Sequence, residues 1–308
     1  MDYREIYSAV DQVYAAHTFE GVRKPLEDLA RALLNELEAD DPGRVCLYNE
    51  LGGYYRNAGL YALAEQNLNE AIRIAEHILS EDDPNYATSL NNLSGLYRMM
   101  GHFEEAESLL EKTCAIYRRS IGEDTVLYCS ALNNLTLVNL QKQDYVKAES
   151  ISRKCISILE SLTLGEEEYV LGIAYENLAV SCSALKKYEE ADSCYKRSSE
   201  ILLDTQGPGA SQIPLMNGIA ANLANQSRYE EAIPYAERAL SLAEQFSGAN
   251  QALTADCLFN LATLNLKAGD TGQAEQQALR SLRIREAIFG EAYPLSEECR
   301  ELLRQIIS

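Results

Sequence analysis

One aromatic residue recurs along the chain at an almost fixed interval. It is Phe19, Tyr61, Phe103, Tyr145, Tyr188 and Tyr229, with gaps of 42, 42, 42, 43 and 41 residues, and Thr271 continues the series without a ring. Three further series run in phase with this anchor. Alanine stands three residues after it (Ala64, Ala106, Ala148, Ala191, Ala232, Ala274). An aliphatic residue stands ten before it (Leu51, Leu93, Leu135, Leu178, Ile219, Leu261). A small residue stands nine before it (Gly52, Ser94, Thr136, Ala179, Ala220, Ala262). A chain built this way grows by adding units and not by enlarging one core, so its 308 residues do not translate into a domain count.

Each unit reads as two helices. Tyr48, Leu51, Gly52 and Tyr55 follow the i, i+3, i+4, i+7 spacing of one helix face. The second helix starts near the anchor and continues through Ala64, Leu68 and Ala71 with the same period. Small residues at the expected crossing let the two backbones approach. Turn signals separate the units at Asp82-Asp83-Pro84, Gly122-Glu123-Asp124, Gly207-Pro208-Gly209 and Gly248-Ala249-Asn250. Pro84 also suits the first turn of a helix. No strand pattern of comparable length is present. The periodicity therefore predicts an all-α chain of about seven antiparallel helix pairs with a terminal helix.

These residues carry a family resemblance. Leu51, Gly52 and Tyr55, then Tyr61, Ala64 and Ala71, resemble the tetratricopeptide repeat, although the period is 42 where the common repeat has about 34 residues. The stretches SLNNLSGLY at 89–97, GHFEEAE at 101–107 and ALNNL at 131–135, and RIREAIFG at 283–290, are similar to the kinesin-light-chain-like subtype. On this basis residues 1–40 form a degenerate N-terminal helix pair, with Ala9 where leucine is expected and Val22 where alanine is. Residues 41–290 hold six units, and 291–308 form a capping helix, all in one continuous domain. The resemblance implies a right-handed superhelical solenoid whose first helices line a concave groove.

The positions that the apolar face leaves over are then candidates for that groove. Twelve residues before the anchor stand Asn49, Asn91, Asn133, Glu176, Asn217 and Phe259; eleven before stand Glu50, Asn92, Asn134, Asn177, Gly218 and Asn260. Asparagine is a poor helix former, so its recurrence in mid-helix asks for a reason. An amide donates and accepts at once, so a ladder of them suits the backbone of an extended peptide. The competing reading is that these amides bond neighbouring repeats. Five before the anchor stand Arg56 and Arg98, equivalent in adjacent repeats, whose guanidinium forks suit a carboxylate or phosphate. The competing reading there is pairing with local acids such as Glu50, or solvation. From Leu137 and Leu140 through Val180 and Ala221 to Leu266 the same wall turns apolar.

Charge and motifs narrow the function. With 27 Lys+Arg against 47 Asp+Glu, the net charge of −20 argues against a nucleic-acid or anionic membrane surface as main partner. The eight cysteines include no C-x-x-C pair, and without a secretory signal they read as reduced thiols in a cytoplasm. His17, His77 and His102 show no metal-ligand spacing. Acid pairs Glu104-Glu105, Glu189-Glu190 and Glu230-Glu231 fall in the first turn of second helices, where they complement the helix dipole. No phosphate loop or nucleophile motif is found. The expectation is a cytoplasmic, non-enzymatic scaffold without cofactor or metal. It would bind a protein or peptide, one with acidic residues at the Arg56/Arg98 pair, through Asn49, Asn91, Asn92, Asn133, Asn134, Asn177, Asn217, Asn260 and the two arginines. The alternative is a regulator that senses a small effector or signalling peptide. Whether the chain forms a homo-oligomer is not readable from the sequence.

Overall fold

The computed structural model describes residues 3–17, 21–163, 165–206, 209–246, 251–290 and 294–307. Phe19, residues 207 and 208, the turn at 248–250 and residues 291–293 lie outside them. The described residues hold fifteen α-helices and one short 3-10 turn, Gly165–Glu168, and no strand. The chain divides into two compact units, 1–144 and 145–308.

The first unit contains α1 (Tyr3–Ala16), α2 (Arg23–Glu36), α3 (Gly43–Asn57), α4 (Tyr61–Ile78), α5 (Pro84–Met100), α6 (Phe103–Ser120) and α7 (Val126–Gln141). The second contains α8 (Tyr145–Leu159), α9 (Tyr169–Ala184), α10 (Tyr188–Gln206), α11 (Gln212–Asn225), α12 (Tyr229–Phe246), α13 (Ala252–Ala268), α14 (Thr271–Phe289) and α15 (Pro294–Ile307). Six recurring anchors, from Tyr61 to Thr271, are each the first residue of a second helix.

A shared turn sets that start. Two residues before each anchor the backbone is left-handed: Gly59 (φ 73°), Gly101 (81°), Gln143 (61°), Lys186 (62°), Ser227 (60°) and Gly269 (90°). The next N–H closes the first helix by bonding the carbonyl five residues back. The pairs are Leu60 to Tyr55 (2.8 Å), His102 to Tyr97 (2.9 Å), Asp144 to Asn139 (2.9 Å), Lys187 to Cys182 (2.8 Å), Arg228 to Leu223 (3.0 Å) and Asp270 to Asn265 (2.9 Å). This arrangement ends one helix and reverses the chain within three residues. First helices begin more variously. Asp83 caps α5 by accepting from Asn85 N at 2.8 Å with Pro84 in the first turn, and Thr125 caps α7.

Within each unit the helices of a pair pack on one another and on the next pair. First helices also touch in succession: α3 with α5 and α5 with α7, then α9 with α11 and α11 with α13. At the α3–α4 crossing a Cβ on Gly52 would come within 2.5 Å of Leu68 Cγ and 3.4 Å of the Ala64 carbonyl. Leu68 fills the space that a side chain at 52 would take, and the Ala64 backbone lies close behind it. Leu51, Tyr55, Ala64, Leu68, Leu93 and Leu96 bury together with Val10, Val22 and Leu26, which ties α1 and α2 to the repeats. In the second unit Ala220, Leu223, Ala232, Ala236, Leu261 and Leu264 form the equivalent core. Each buried aliphatic side chain contributes about 1.5–3 kcal/mol of transfer free energy.

Candidate functional site

In the first unit the asparagine positions bring adjacent first helices together. Asn92 Nδ2 on α5 donates to Asn49 Oδ1 on α3 at 3.3 Å, and Asn134 Nδ2 on α7 donates to Asn91 Oδ1 on α5 at 3.0 Å. The rule is one rung per repeat: the residue eleven before the anchor bonds the residue twelve before the previous anchor. Asn49 also donates to Ser89 Oγ at 2.9 Å and is only 7% exposed, so both poles of its amide are spent. Asn91, Asn92 and Asn134 are half-buried and each keeps one pole, an Nδ2 or an Oδ1, without a hydrogen bond to the described residues. Asn133 is buried.

The arginines reach the next first helix in the same manner. Arg56 lays its guanidinium over Gly95 of α5, where a Cβ would come within 2.8 Å of Nη1. Its Nε donates to Asn57 Oδ1 at 3.3 Å. Arg98 Nη1 donates to Gln141 Oε1 of α7 at 3.4 Å. Both side chains are half-buried, and neither meets a carboxylate among the described residues. Burial holds each guanidinium below its ordinary pKa, and for Arg98 the charge of Arg56 adds to the effect. Two cations are therefore partly desolvated and close enough to repel, a combination that an anion between them would relieve. Glu50 does not supply it. No ion pair joins Glu50 to either arginine among the described residues, and burial and then the charge of Asp11 on α1 raise its carboxyl.

The second unit breaks the ladder. The rung donor at position 218 is glycine, and its acceptor at 176 is glutamate. Glu176 is half-buried, and burial pushes its carboxyl up to about 7. One rung on, Asn217 Nδ2 donates to Cys257 Sγ at 3.6 Å, while its buried Oδ1 has no hydrogen-bond partner among the described residues. Asn260, the expected donor, is exposed. Asn177, 4% exposed, likewise leaves its Nδ2 without a partner among the described residues. The apolar wall is partly covered: Phe259 and Leu266 pack with Ala262, Ala278 and Leu302 of α15. Arg285, 3% exposed, stacks on Phe259 at 4.9 Å and bonds Asp256 (2.8 Å) and the Leu295 carbonyl (2.6 Å), fastening α13, α14 and the start of α15.

Two other features were not legible in the sequence. Glu149, Cys182 and Glu190 place three potential metal-donor atoms within 4.8 Å of one another. Both carboxylates already serve cations, Glu149 with Lys187 (2.7 Å) and Arg153 (2.8 Å), and Glu190 with Arg153 (2.6 Å). Burial, with Glu190 beside it, pushes the Cys182 thiol up to about 12. The group works as an ion-pair network. A cavity of about 600 Å³ lies among α10, α11 and α12, lined by Asp192, Tyr195, Met216, Leu223, Arg228 and Tyr235.

A search of the curated proteins finds no match. Solved structures share the fold. BtubC (BKLC) from P. vanneervenii is 23% identical, with a TM-score of 0.56 over 76% of this chain and 91% of that one. The nearly identical TPR-like repeats of a putative kinesin light chain from Podosopora anserina match at 16% identity and a TM-score of 0.52, covering 67% of this chain and 97% of that one. A Rap protein complexed with Competence and Sporulation Factor matches at 15% identity and a TM-score of 0.61, covering 92% and 80%. The helix pairs, the recurring crossing residues and a tetratricopeptide repeat profile that matches residues 43–119, 120–204 and 211–287 place this chain in the tetratricopeptide repeat family.

Proposed function

We propose that the chain is a non-enzymatic scaffold that binds a segment of a partner protein along its first helices, with Arg56 and Arg98 holding an acidic side chain or a terminal carboxylate. The carrying observation is the pair itself: two half-buried guanidinium groups on equivalent positions, without a carboxylate partner among the described residues, in a chain of net charge −20. The free amide poles of Asn91, Asn92 and Asn134 run along the same helices and suit the backbone of that segment. Asn133, Asn177, Asn217 and Asn260 hold the corresponding positions in the following repeats. A cytoplasmic setting suits the eight cysteines, all buried and none in a disulfide. The test is calorimetry of the full chain with a blocked glutamate peptide and its glutamine counterpart, on wild type and on Arg56→Gln/Arg98→Gln. Wild type should prefer glutamate by about tenfold, and the double variant should lose that preference. Equal binding to both variants of the protein would overturn the reading. A small metabolite that co-purifies with wild type and resists competition by either peptide would favour an effector sensor instead.

A further inference from the structure

The ladder in the first unit defines what each rung should contain, and the second unit departs from it, first at positions 176 and 218. Asn92 and Asn134 each supply an amide N–H to the residue twelve before the previous anchor. Position 218 occupies that place opposite position 176. Gly218 has no side chain to donate, and the acceptor has become the carboxylate of Glu176. The space is not simply vacant. A Cβ on Gly218 would come within 2.7 Å of the Tyr195 hydroxyl and 2.8 Å of its ring, so α10 sends Tyr195 to the point where the rung would begin. Neither Glu176 nor the Tyr195 hydroxyl is hydrogen-bonded to a described residue, and no cation pairs with Glu176 among them. The next rung is open too, with Asn217 Oδ1 buried and without a partner there.

We propose that Glu176, with Tyr195 beside it, is a binding site for an alkylammonium group, the lysine side chain of a bound protein segment. A half-buried carboxylate lacking a counter-ion is costly, and a cationic N–H donor supplies both the charge and the bond that position 218 withholds. The proposal rests on the same reading of first-helix faces as ligand surfaces. It lies in the other unit and takes the opposite charge, so loss of the Arg56/Arg98 site would leave it standing.

The experiment follows the Glu176 side-chain carboxyl by carbon NMR in the full chain, through a pH titration. The probes are a blocked Ala-Ala-Lys-Ala-Ala peptide, the same peptide with norleucine, and n-butylammonium. Burial raises the free carboxyl to about 7. The lysine peptide should pull that midpoint down, because only the ionised form holds the cation, and the norleucine peptide should leave it in place. A shift with the peptide and with butylammonium identifies ammonium recognition as such; a shift with the peptide alone shows that the rest of the segment is needed as well. Binding of the lysine peptide should weaken about tenfold in Glu176→Gln, with Glu200→Gln as a control for the general attraction of an acidic protein. Equal shifts with lysine and norleucine, no shift with any probe, or full affinity in a folded Glu176→Gln chain would overturn the proposal. The wild-type titration decides the matter even if that variant fails to fold.

Discussion

Three of the six left-handed turn residues carry a side chain: Gln143, Lys186 and Ser227. Glycine takes that conformation without the Cβ clash that costs other residues about 1–2 kcal/mol. Lys186→Gly and Ser227→Gly should therefore stabilise the chain by about 0.5–1 kcal/mol each, offset in part by a more flexible unfolded state. Urea denaturation of the single variants checks this, and Gly101→Ala, at φ 81°, should shift the midpoint in the opposite direction. Glu176 makes a second residue-scale case. Burial raises its carboxyl from 4.5 to about 7, so between those values the folded state keeps a proton that the unfolded chain releases. Stability from this group is then highest below the lower value and is lost as pH rises through the upper one. Glu176→Gln should match wild type near about pH 4 and exceed it by about 1–3 kcal/mol near about pH 8. Thermal melts of both proteins across that range would show a constant difference if the carboxyl were unperturbed.

At the scale of the helix pair, the crossing is tight. Leu68 sits 2.5 Å from where a Gly52 Cβ would be, and the Ala64 backbone lies just behind. Ala64 itself has no exposed surface. Ala64→Leu should overpack the α3–α4 contact and cost about 1–3 kcal/mol, read as a lowered melting temperature. The first-helix ladder is the second element-scale device. Asn92→Ala removes the donor to a buried Asn49 oxygen, which leaves an unsatisfied acceptor and costs about 1–3 kcal/mol. Asn260→Ala, at an exposed position, should cost less than about 0.5 kcal/mol. A melt in which both substitutions had the same effect would remove the ladder from the account of stability.

On the scale of the whole chain, each unit is a run of neighbour contacts, and damage should stay local. Ala64→Leu should speed amide hydrogen exchange most in α3–α6 and leave α13–α15, 188 or more residues away in sequence, unchanged. Uniform acceleration across the chain would instead mark one cooperative block. The C-terminal end has its own fastening, Arg285 bridging Asp256 and the start of α15. Arg285→Met should therefore loosen α15 before any other helix in the same exchange experiment, because it strips Asp256 and the Leu295 carbonyl of a donor.

The period, the helix pairs and the start of each second helix follow from local patterns, because a helix face and a tight turn are written within a few residues. Tyr61, Ala64 and Leu51 carry that information wherever they stand in the chain. Gly59, Gly101 and Gly269 suit the left-handed backbone of the shared turn, but Gln143, Lys186 and Ser227 take the same conformation with side chains that give no such sign. The use of the polar positions was decided elsewhere. Asn92 reads identically in sequence whether or not its Nδ2 meets Asn49, 43 residues away, and only the packing of α3 on α5 makes that bond. Arg56 gives no sequence sign that it overlies Gly95, nor Gly218 that it yields its place to Tyr195. Such pairings depend on side chains from distant residues meeting across helices, so they exist only once the tertiary structure has brought those helices together.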